Sequence, residues 1–237
     1  MRRIGFSSGA LAYADFRRGI AMLHHKAVSA IELSALRQNE LRPMVEALDE
    51  LDLSQFEYIS LHAPSQFPRD DEEKIVGLLY GVCARGWPVI LHPDAIHEYA
   101  PWRSLGKMLY VENMDKRKPI GRTVSELESV FDRLPEAAFC FDIGHARQID
   151  STMTEAYLML KRFRDRLRQV HVSEVNTRSK HDPLSYASIL AFQEVGGMIP
   201  EDIPVILETP VPEDQIEFEM ERAREALPVV QHELVGR

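Results

Sequence analysis

The middle of the chain contains the stretch Phe139-Cys140-Phe141-Asp142-Ile143-Gly144-His145-Ala146, in which an apolar run ends abruptly in an acid and a histidine. A short apolar run of this kind is typical of a buried β-strand. Carboxylate and imidazole groups are common ligands of divalent metals. The stretch therefore predicts a strand that carries metal-binding groups at its carboxyl end.

The same pattern recurs in five other stretches, at residues 58–62, 88–92, 108–112, 168–171 and 203–208. They end in His62, His92, Glu112, His171 and Glu208. In a parallel barrel all strands point the same way, and active sites lie at the carboxyl-terminal mouth. The side chains that end these six strands are therefore expected to meet at one mouth.

The rest of the chain alternates strand and helix patterns, with no linker, low-complexity stretch or repeat between them. Eight successive strand–helix units are what a closed parallel barrel requires. We predict the α/β class and a single (β/α)8 TIM barrel domain over residues 1–237, with its active site at the carboxyl-terminal mouth. A doubly wound open sheet is the alternative, but it would not explain ligand-type residues on six successive strands.

Helix boundaries are predicted from capping signals. Residues 125–128 and 152–155 match the capping box, which places helix starts at Ser125 and Thr152. The second of these helices is predicted to reach about Leu167. Residues 95–105 contain Pro101 and predict a short or irregular helix, and the segment after the seventh strand is predicted to be a loop.

Composition excludes several classes of protein. The 237 residues carry a formal net charge of −9, which disfavours a long nucleic-acid footprint because such a surface needs clustered lysine and arginine. No apolar run reaches the roughly 18 residues of a membrane span, and none follows Arg2 and Arg3 as a secretory signal would require. A cytoplasmic location is expected. The two cysteines, Cys83 and Cys140, are interpreted as buried apolar residues without a disulfide.

The candidate metal ligands at the strand ends are His62, His92, Glu112, Asp142, His145, His171 and Glu208. This set exceeds what one ion can use, and imidazole with carboxylate suits zinc, manganese or iron. One to three divalent ions are therefore expected. Glu112 is central in the strand order and is the expected bridge between two ions.

Three further residues are candidates for substrate binding. Glu32 ends the second strand, where it would form either a substrate contact or a salt bridge at the barrel rim. Arg178 and Lys180 follow the seventh strand and would either hold a phosphate or acid group or serve as solvated loop charges.

Several of these segments together resemble one family, the xylose-isomerase-like barrel superfamily. It includes sugar isomerases and epimerases and the endonuclease IV type of abasic-site nuclease (AP endonuclease family 2). The resemblance covers nearly the whole chain. It is carried by Leu61-His62-Ala63-Pro64, Val89-Ile90-Leu91-His92-Pro93, Tyr110-Val111-Glu112-Asn113, Phe141-Asp142-Ile143-Gly144-His145-Ala146, Val170-His171-Val172 and Ile206-Leu207-Glu208-Thr209-Pro210.

The resemblance implies two alternative ligand assignments. The isomerase branch implies one metal held by Glu112, Asp142, His171 and Glu208, with the two glutamates moving protons and His145 contacting substrate. The nuclease branch implies a second ion at His62, His92 and Glu112, and a third at His145 with an Asp-x-His pair after the seventh strand. Here Ser179 stands where that aspartate is expected, before His181, so the third ion would need Asp182 as a substitute ligand. Ser65 stands where the nuclease has a tyrosine.

The predicted function is a divalent-metal-dependent isomerase or epimerase that acts on a small sugar or sugar phosphate through an enediolate, with Glu112 and Glu208 as catalytic residues. The first alternative is a phosphoesterase with two or three metals, related to endonuclease IV. A barrel that only binds a ligand is the second. A small-molecule substrate is expected, neither nucleic acid nor membrane is expected as a partner, and homo-oligomerisation is left open.

Overall fold

The computed structural model describes residues 2–229, and the predicted domain boundary at residue 237 lies outside them. Eight parallel strands close into a barrel, which confirms the predicted fold class. In chain order the strands are β1 (Ile4–Ser7), β2 (Ala30–Ser34), β3 (Tyr58–His62), β4 (Val89–Leu91), β5 (Leu109–Glu112), β6 (Ala138–Asp142), β7 (Leu167–Val172) and β10 (Val205–Leu207). Strands β8 (Glu174–Val175) and β9 (His181–Asp182) form a separate antiparallel hairpin.

Helices surround the barrel, and their apolar faces pack on the outer side of the strands. The α-helices of the described residues are α1 (Ser8–Ala12), α2 (Phe16–Leu23), α3 (Gln38–Ala47), α4 (Glu72–Cys83), α5 (Tyr99–Arg103), α6 (Val124–Arg133), α7 (Ile143–Ile149), α8 (Thr154–Arg162), α9 (Tyr186–Gly196) and α10 (Ile216–Ala226). Barrel strands are covered on both faces, which is why they are nearly continuous apolar runs.

The register between strands fixes the height of the side chains at the mouth. Asp142 on β6 lies opposite His171 on β7, and β1 closes the barrel by pairing with both β10 and β2. The closure at β1 depends on Gly5, because a Cβ atom there would lie only 1.7 Å from the carbonyl oxygen of Ala30. Any larger side chain at this position would push the first two strands apart.

Two predicted helix starts are wrong. Helix α6 begins at Val124, because Thr123 and not Ser125 caps it by accepting a hydrogen bond from the backbone N–H of Glu126 at 3.3 Å. Helix α8 begins at Thr154, and the carboxylate of Asp150 accepts the N–H of Glu155 at 3.0 Å. In both cases a hydrogen-bonding side chain further upstream binds the first free N–H groups.

Other boundaries also differ from the predictions. Helix α8 ends at Arg162, because Arg164–Arg166 forms a separate 3-10 turn and Leu167 already belongs to β7. The predicted loop after the seventh strand contains the β8–β9 hairpin. Helices α1 and α7 were not predicted, since each follows its strand directly and is too short for a clear helical period.

One buried acid outside the barrel anchors the loop that follows β4. Glu72 opens α4, and its carboxylate accepts hydrogen bonds from the backbone N–H groups of His97 and Glu98, both at 2.9 Å. The indole N–H of Trp102 donates to the same carboxylate at 2.7 Å. Phe67 packs beside the Trp102 ring, and both aromatic side chains are buried. This contact group joins α4 to α5.

Within residues 2–229, no helix is long and apolar enough to cross a membrane.

Candidate metal centre

The predicted metal ligands converge at the carboxyl-terminal mouth of the barrel. Their ligand atoms form three overlapping groups, and within each group all ligand atoms lie within 4.8 Å of one another. The groups are His62, His92 and Glu112; Glu112, Asp142, His171 and Glu208; and Asp142, His145 and His181. Glu112 and Asp142 each belong to two groups, so the three groups form one continuous cluster.

The first group is built from the ends of β3, β4 and β5. His62 Nε2 lies 3.2 Å from Glu112 Oε2, and His92 Nε2 lies 3.4 Å from the same oxygen. His62 Nδ1 lies 2.8 Å from the carbonyl oxygen of Ala63 and donates to it. This hydrogen bond leaves the lone pair of His62 Nε2 directed at the cluster, as metal binding requires.

The central group holds three buried atoms that lack hydrogen-bond partners among the described residues: Glu112 Oε1, Asp142 Oδ2 and His171 Nδ1. His171 Nδ1 lies 3.4 Å from Glu112 Oε1 and 3.6 Å from Glu208 Oε1. Buried acceptors that face one another without a donor are unfavourable, and a shared cation satisfies all of them. This donor set therefore fits a divalent metal ion.

The third group combines α7 with the β8–β9 hairpin. The Asp142 carboxylate caps α7 by accepting the backbone N–H of His145 at 2.6 Å, and its other oxygen, Oδ2, lies 3.5 Å from His145 Nδ1. The His145 and His181 rings lie 5.4 Å apart, and His181 Nδ1 is 2.7 Å from Ser173 Oγ. Asp142 thus supplies this group with a carboxylate, although Ser179 stands where the nuclease motif has an aspartate.

Two residues near the third group have other partners. Ser179 is buried, has a positive φ of 54°, and donates a hydrogen bond to Gln148 at 3.0 Å. Asp182, which the sequence offered as a substitute ligand, accepts a hydrogen bond from the Asn176 side chain at 2.8 Å and belongs to none of the three groups. The hairpin therefore brings His181 to the cluster and directs Asp182 elsewhere.

Glu32 lies beneath the cluster and is fully buried. Its Oε2 accepts hydrogen bonds from His171 Nε2 at 3.0 Å, Gln169 Nε2 at 2.7 Å and Ser60 Oγ at 3.2 Å. Gln169 is held in turn by the hydroxyl of Tyr58 at 2.6 Å. The expected position of Glu32 at the rim is wrong, because the second strand directs this side chain into the barrel interior.

The Glu32 network has a consequence for His171. With Nε2–H donating to Glu32, the opposite nitrogen Nδ1 carries the lone pair and faces Glu112 and Glu208. Carboxylates that bind the distal nitrogen of a metal-ligating histidine fix its tautomer and ring orientation. Glu32 also brings a ligand atom within 4.8 Å of those of His62 and Glu208, so this interior carboxylate borders the cluster directly.

The clustered charges alter the protonation of the side chains. Burial opposes charging of His62, but its hydrogen bond to Glu112 and the charges of Glu32, Glu112 and Glu208 together outweigh burial and raise the pKa to about 9. Burial also opposes charging of His145, but the charges of Asp142, Glu112 and Glu208 and a hydrogen bond to Glu112 together outweigh burial and raise the pKa to about 10. Burial raises the pKa of Asp142 to about 6, and it lowers the pKa of His92. Histidine protons thus balance the carboxylates, and a bound divalent ion would displace them.

A cavity of about 490 Å³ opens above the cluster. Its lining includes His62, His92, His145, His181 and Glu208 from the cluster. Lys180 lines it as predicted for a mouth residue, whereas Arg178 is exposed and outside the lining. The cavity therefore gives a small molecule access to the ligand groups from the solvent side.

Two cations of the cavity were missed in the sequence. Arg117 and Lys118 line it, and each is paired with an acid: Arg117 Nε lies 3.0 Å from Asp115, and Lys118 Nζ lies 2.9 Å from Asp94. Burial opposes ionisation of Asp115, but the hydrogen bonds from Arg117 outweigh it and hold the pKa below its usual range. Both cations lie in the loop that follows Glu112 at the end of β5. Their closeness to this motif in the sequence was the feature that could have placed them at the mouth.

The closed barrel and the histidine–carboxylate cluster define a class: a (β/α)8 barrel with a candidate metal centre at its mouth. Three solved structures share the fold. Endonuclease IV from Thermus thermophilus is 19% identical with a TM-score of 0.59, and the match covers 95% of this chain and 98% of that chain. A xylose isomerase domain protein from Alicyclobacillus acidocaldarius subsp. acidocaldarius is 12% identical with a TM-score of 0.63. The match covers 94% of this chain and 98% of that chain.

The third structure is a xylose isomerase-like TIM barrel protein from Mycobacterium smegmatis in complex with magnesium. It is 11% identical with a TM-score of 0.59, and the match covers 96% of this chain and 98% of that chain. These likenesses confirm the xylose-isomerase-like barrel fold predicted from the strand-end motifs. No protein-family model and no curated protein matches the chain.

Proposed function

We propose that the protein is a divalent-metal-dependent enzyme with more than one ion at the barrel mouth, and that it cleaves a phosphoester bond in a small molecule. The observation that carries the proposal is the overlap of the three ligand groups through Glu112 and Asp142. Shared carboxylates hold ions close together, and paired ions suit the displacement reactions of phosphoryl groups.

The donor set favours zinc, manganese or iron. Histidines contribute to all three groups, and imidazole binds these ions better than it binds magnesium. Bound ions would supply Lewis-acid polarisation of a phosphoryl oxygen. The neighbour crystallised with magnesium lends support to a divalent ion in this fold.

The chain's own residues would bind and orient the substrate. Arg117, Lys118 and Lys180 surround the cavity and attract an anionic group. The carboxylate of Asp115 holds the Arg117 guanidinium through contacts of 3.0 Å to Nε and Nη2. A guanidinium fixed in this way is a suitable bidentate partner for phosphate. The cavity volume of about 490 Å³ suits a small substrate.

An isomerase or epimerase is the second candidate, and the central group of two glutamates, an aspartate and a histidine favours it. That reaction needs both Glu112 and Glu208 to exchange protons with the substrate. Glu208 lines the cavity, but Glu112 is buried, and nitrogen atoms of four histidines lie 3.2–3.4 Å from its two oxygens. The histidines enclose both oxygens of Glu112 and keep a substrate away from them, which favours the phosphoesterase.

Cleavage of 4-nitrophenyl phosphate and bis(4-nitrophenyl) phosphate by protein loaded with manganese or zinc tests the proposal. His92→Ala should lower the rate by more than the roughly 10–100-fold loss typical of outer-shell changes, because it removes a ligand of the first group. His24→Ala is the matched control, since His24 follows α2 at the opposite end of the barrel. Absence of cleavage, with aldose–ketose conversion that survives His92→Ala, would establish the isomerase instead.

A further inference from the structure

The turn between α1 and α2 holds a tyrosine in a conformation that normally belongs to glycine. The backbone N–H of Asp15 donates to the carbonyl of Ala12 at 3.1 Å, which closes a four-residue turn. Tyr13 is the first central residue, with φ 55° and ψ −126°. These angles match a type II′ turn, whose first central position favours glycine because a Cβ atom is disfavoured there.

The Tyr13 side chain contributes nothing to the core that would compensate for this backbone. It is 79% exposed, and among residues 2–229 it has no side-chain hydrogen bond and no ring contact. A bulky residue held in a disfavoured backbone region without packing is a signature of function, because strain of this kind persists at ligand-binding sites.

Tyr13 stands between two cavities. It lines the mouth cavity above the cluster, and it also lines a second cavity of about 430 Å³. Ala10 and Pro210 are shared by the two linings, so the cavities are neighbours along one rim. The second cavity has a mixed lining of apolar side chains, one cation and one acid: Leu11, Met22, Val211, Pro212, Arg18 and Glu213.

We propose that Tyr13 and this second cavity form a subsite for an apolar or aromatic group attached to the phosphoryl group of the substrate. The proposal rests on the phosphoesterase function, since it requires the phosphoryl group to lie over the metal ligands. The Tyr13 ring then forms a wall against which a planar group stacks, and the apolar lining beyond it takes up the rest. Tyr13 is a specificity-determining residue in this arrangement.

The test compares phenylphosphonate with methylphosphonate, which share an uncleavable phosphonate group and differ in the ring. Both are titrated calorimetrically into manganese-loaded wild-type protein and into Tyr13→Gly and Tyr13→Phe. Wild type should bind phenylphosphonate about three- to tenfold more tightly, as expected for one aromatic contact. Tyr13→Gly should lose this preference and keep its methylphosphonate affinity, whereas Tyr13→Phe should retain both.

Thermal unfolding separates this role from a structural one. Because glycine accepts the backbone angles of Tyr13, Tyr13→Gly should unfold about 2–4 °C higher than wild type while it loses the preference for the ring. If Tyr13→Gly still binds phenylphosphonate more tightly than methylphosphonate, the subsite proposal is wrong and the phosphoesterase proposal stands. The subsite proposal is also wrong if Tyr13→Gly loses stability together with its affinity for both phosphonates. If methylphosphonate itself fails to bind wild type, the phosphoesterase proposal fails and the subsite fails with it.

Discussion

Glu72 and Glu112 are both buried glutamates, but their surroundings differ. Glu72 accepts three hydrogen bonds of 2.7–2.9 Å, from two backbone N–H groups and an indole, and both of its oxygens are paired. Glu112 is surrounded by histidine nitrogens at 3.2–3.4 Å, and its Oε1 has no hydrogen-bond donor in the described part of the chain. Both oxygens of Glu72 are thus satisfied by the protein, whereas Glu112 Oε1 is left for a cation to bind.

We attribute this difference to a structural role for Glu72 and to the proposed metal-binding role of Glu112. A buried carboxylate is tolerated when N–H donors neutralise its lone pairs, as they do around Glu72. The histidines around Glu112 instead neutralise it only by taking up protons, which a bound divalent ion would displace. The comparison predicts opposite phenotypes for the two glutamates, with metal binding affected at one and folding stability at the other.

The largest effect is expected for Glu112→Gln, which removes a ligand shared by two groups. Phosphoester cleavage should fall by more than the roughly 10–100-fold of an outer-shell change. The rise in unfolding temperature on adding manganese should shrink, because two of the three groups lose a ligand and an ion at 100 times its Kd stabilises by about 2.7 kcal/mol. A variant that keeps this metal-dependent rise in full would show that Glu112 does not bind the ion.

Glu32→Gln is expected to have the next largest effect, because it weakens the hydrogen bond that orients His171. Metal affinity, measured by competition with a chelating dye, should fall about 10–100-fold while the number of ions bound at saturation stays that of wild type. Ser60→Ala is the matched control, since it removes only a 3.2 Å hydrogen bond to the same carboxylate. If Glu32→Gln binds one ion fewer than wild type, Glu32 is a metal ligand itself and does not merely orient His171.

Glu72→Gln should behave in the opposite way. Its amide NH₂ would face an N–H donor of the loop after β4, and one unsatisfied donor costs about 1–3 kcal/mol. The unfolding temperature should fall by about 2–10 °C, with metal affinity within error of wild type. Scanning calorimetry and the same dye competition give both values, and reduced metal affinity in this variant would erase the contrast with Glu112.

The protein is not expected to bind duplex DNA. The loops after β3 and β4 carry Asp70, Asp71, Asp94 and Glu98, and the cations opposing them there are Arg69 and Arg103, so this side of the rim does not offer the clustered cations that a phosphate backbone needs. Phe67 and Trp102 are buried and do not project from the mouth, which leaves Tyr13 as the exposed aromatic residue beside the cavity. Fluorescence anisotropy with an abasic duplex should show no salt-sensitive binding in manganese or zinc. Tight binding with cleavage that His92→Ala abolishes would identify a nuclease.

The sequence was sufficient to predict the barrel and the histidines and carboxylates that meet at its mouth. Apolar runs that end in His62, Glu112 or Asp142 determine both strand direction and ligand position, because parallel strands share one carboxyl end. Such motifs are local in the chain. Parallel pairing of the strands in a closed barrel then brings their carboxyl ends together at one mouth.

Features that depend on distant contacts were not predictable. In the sequence, Glu32 cannot be told apart from other acids at strand ends, nor Glu72 from other acids at helix starts. Only the folded chain shows that Glu32 accepts a hydrogen bond from His171 and Glu72 one from Trp102. The caps of α6 and α8 were misassigned because several neighbouring side chains compete for the same N–H groups. The positive φ of Tyr13 leaves no trace in composition.

Metal content per chain tests the central claim most directly. Protein equilibrated with manganese or zinc and then desalted should retain two or more ions per chain, measured by inductively coupled plasma mass spectrometry. His92→Ala should lose one ion and keep the one bound by the central group, whereas His24→Ala should lose none. A single ion per chain that is unchanged in His92→Ala would contradict the multi-ion centre.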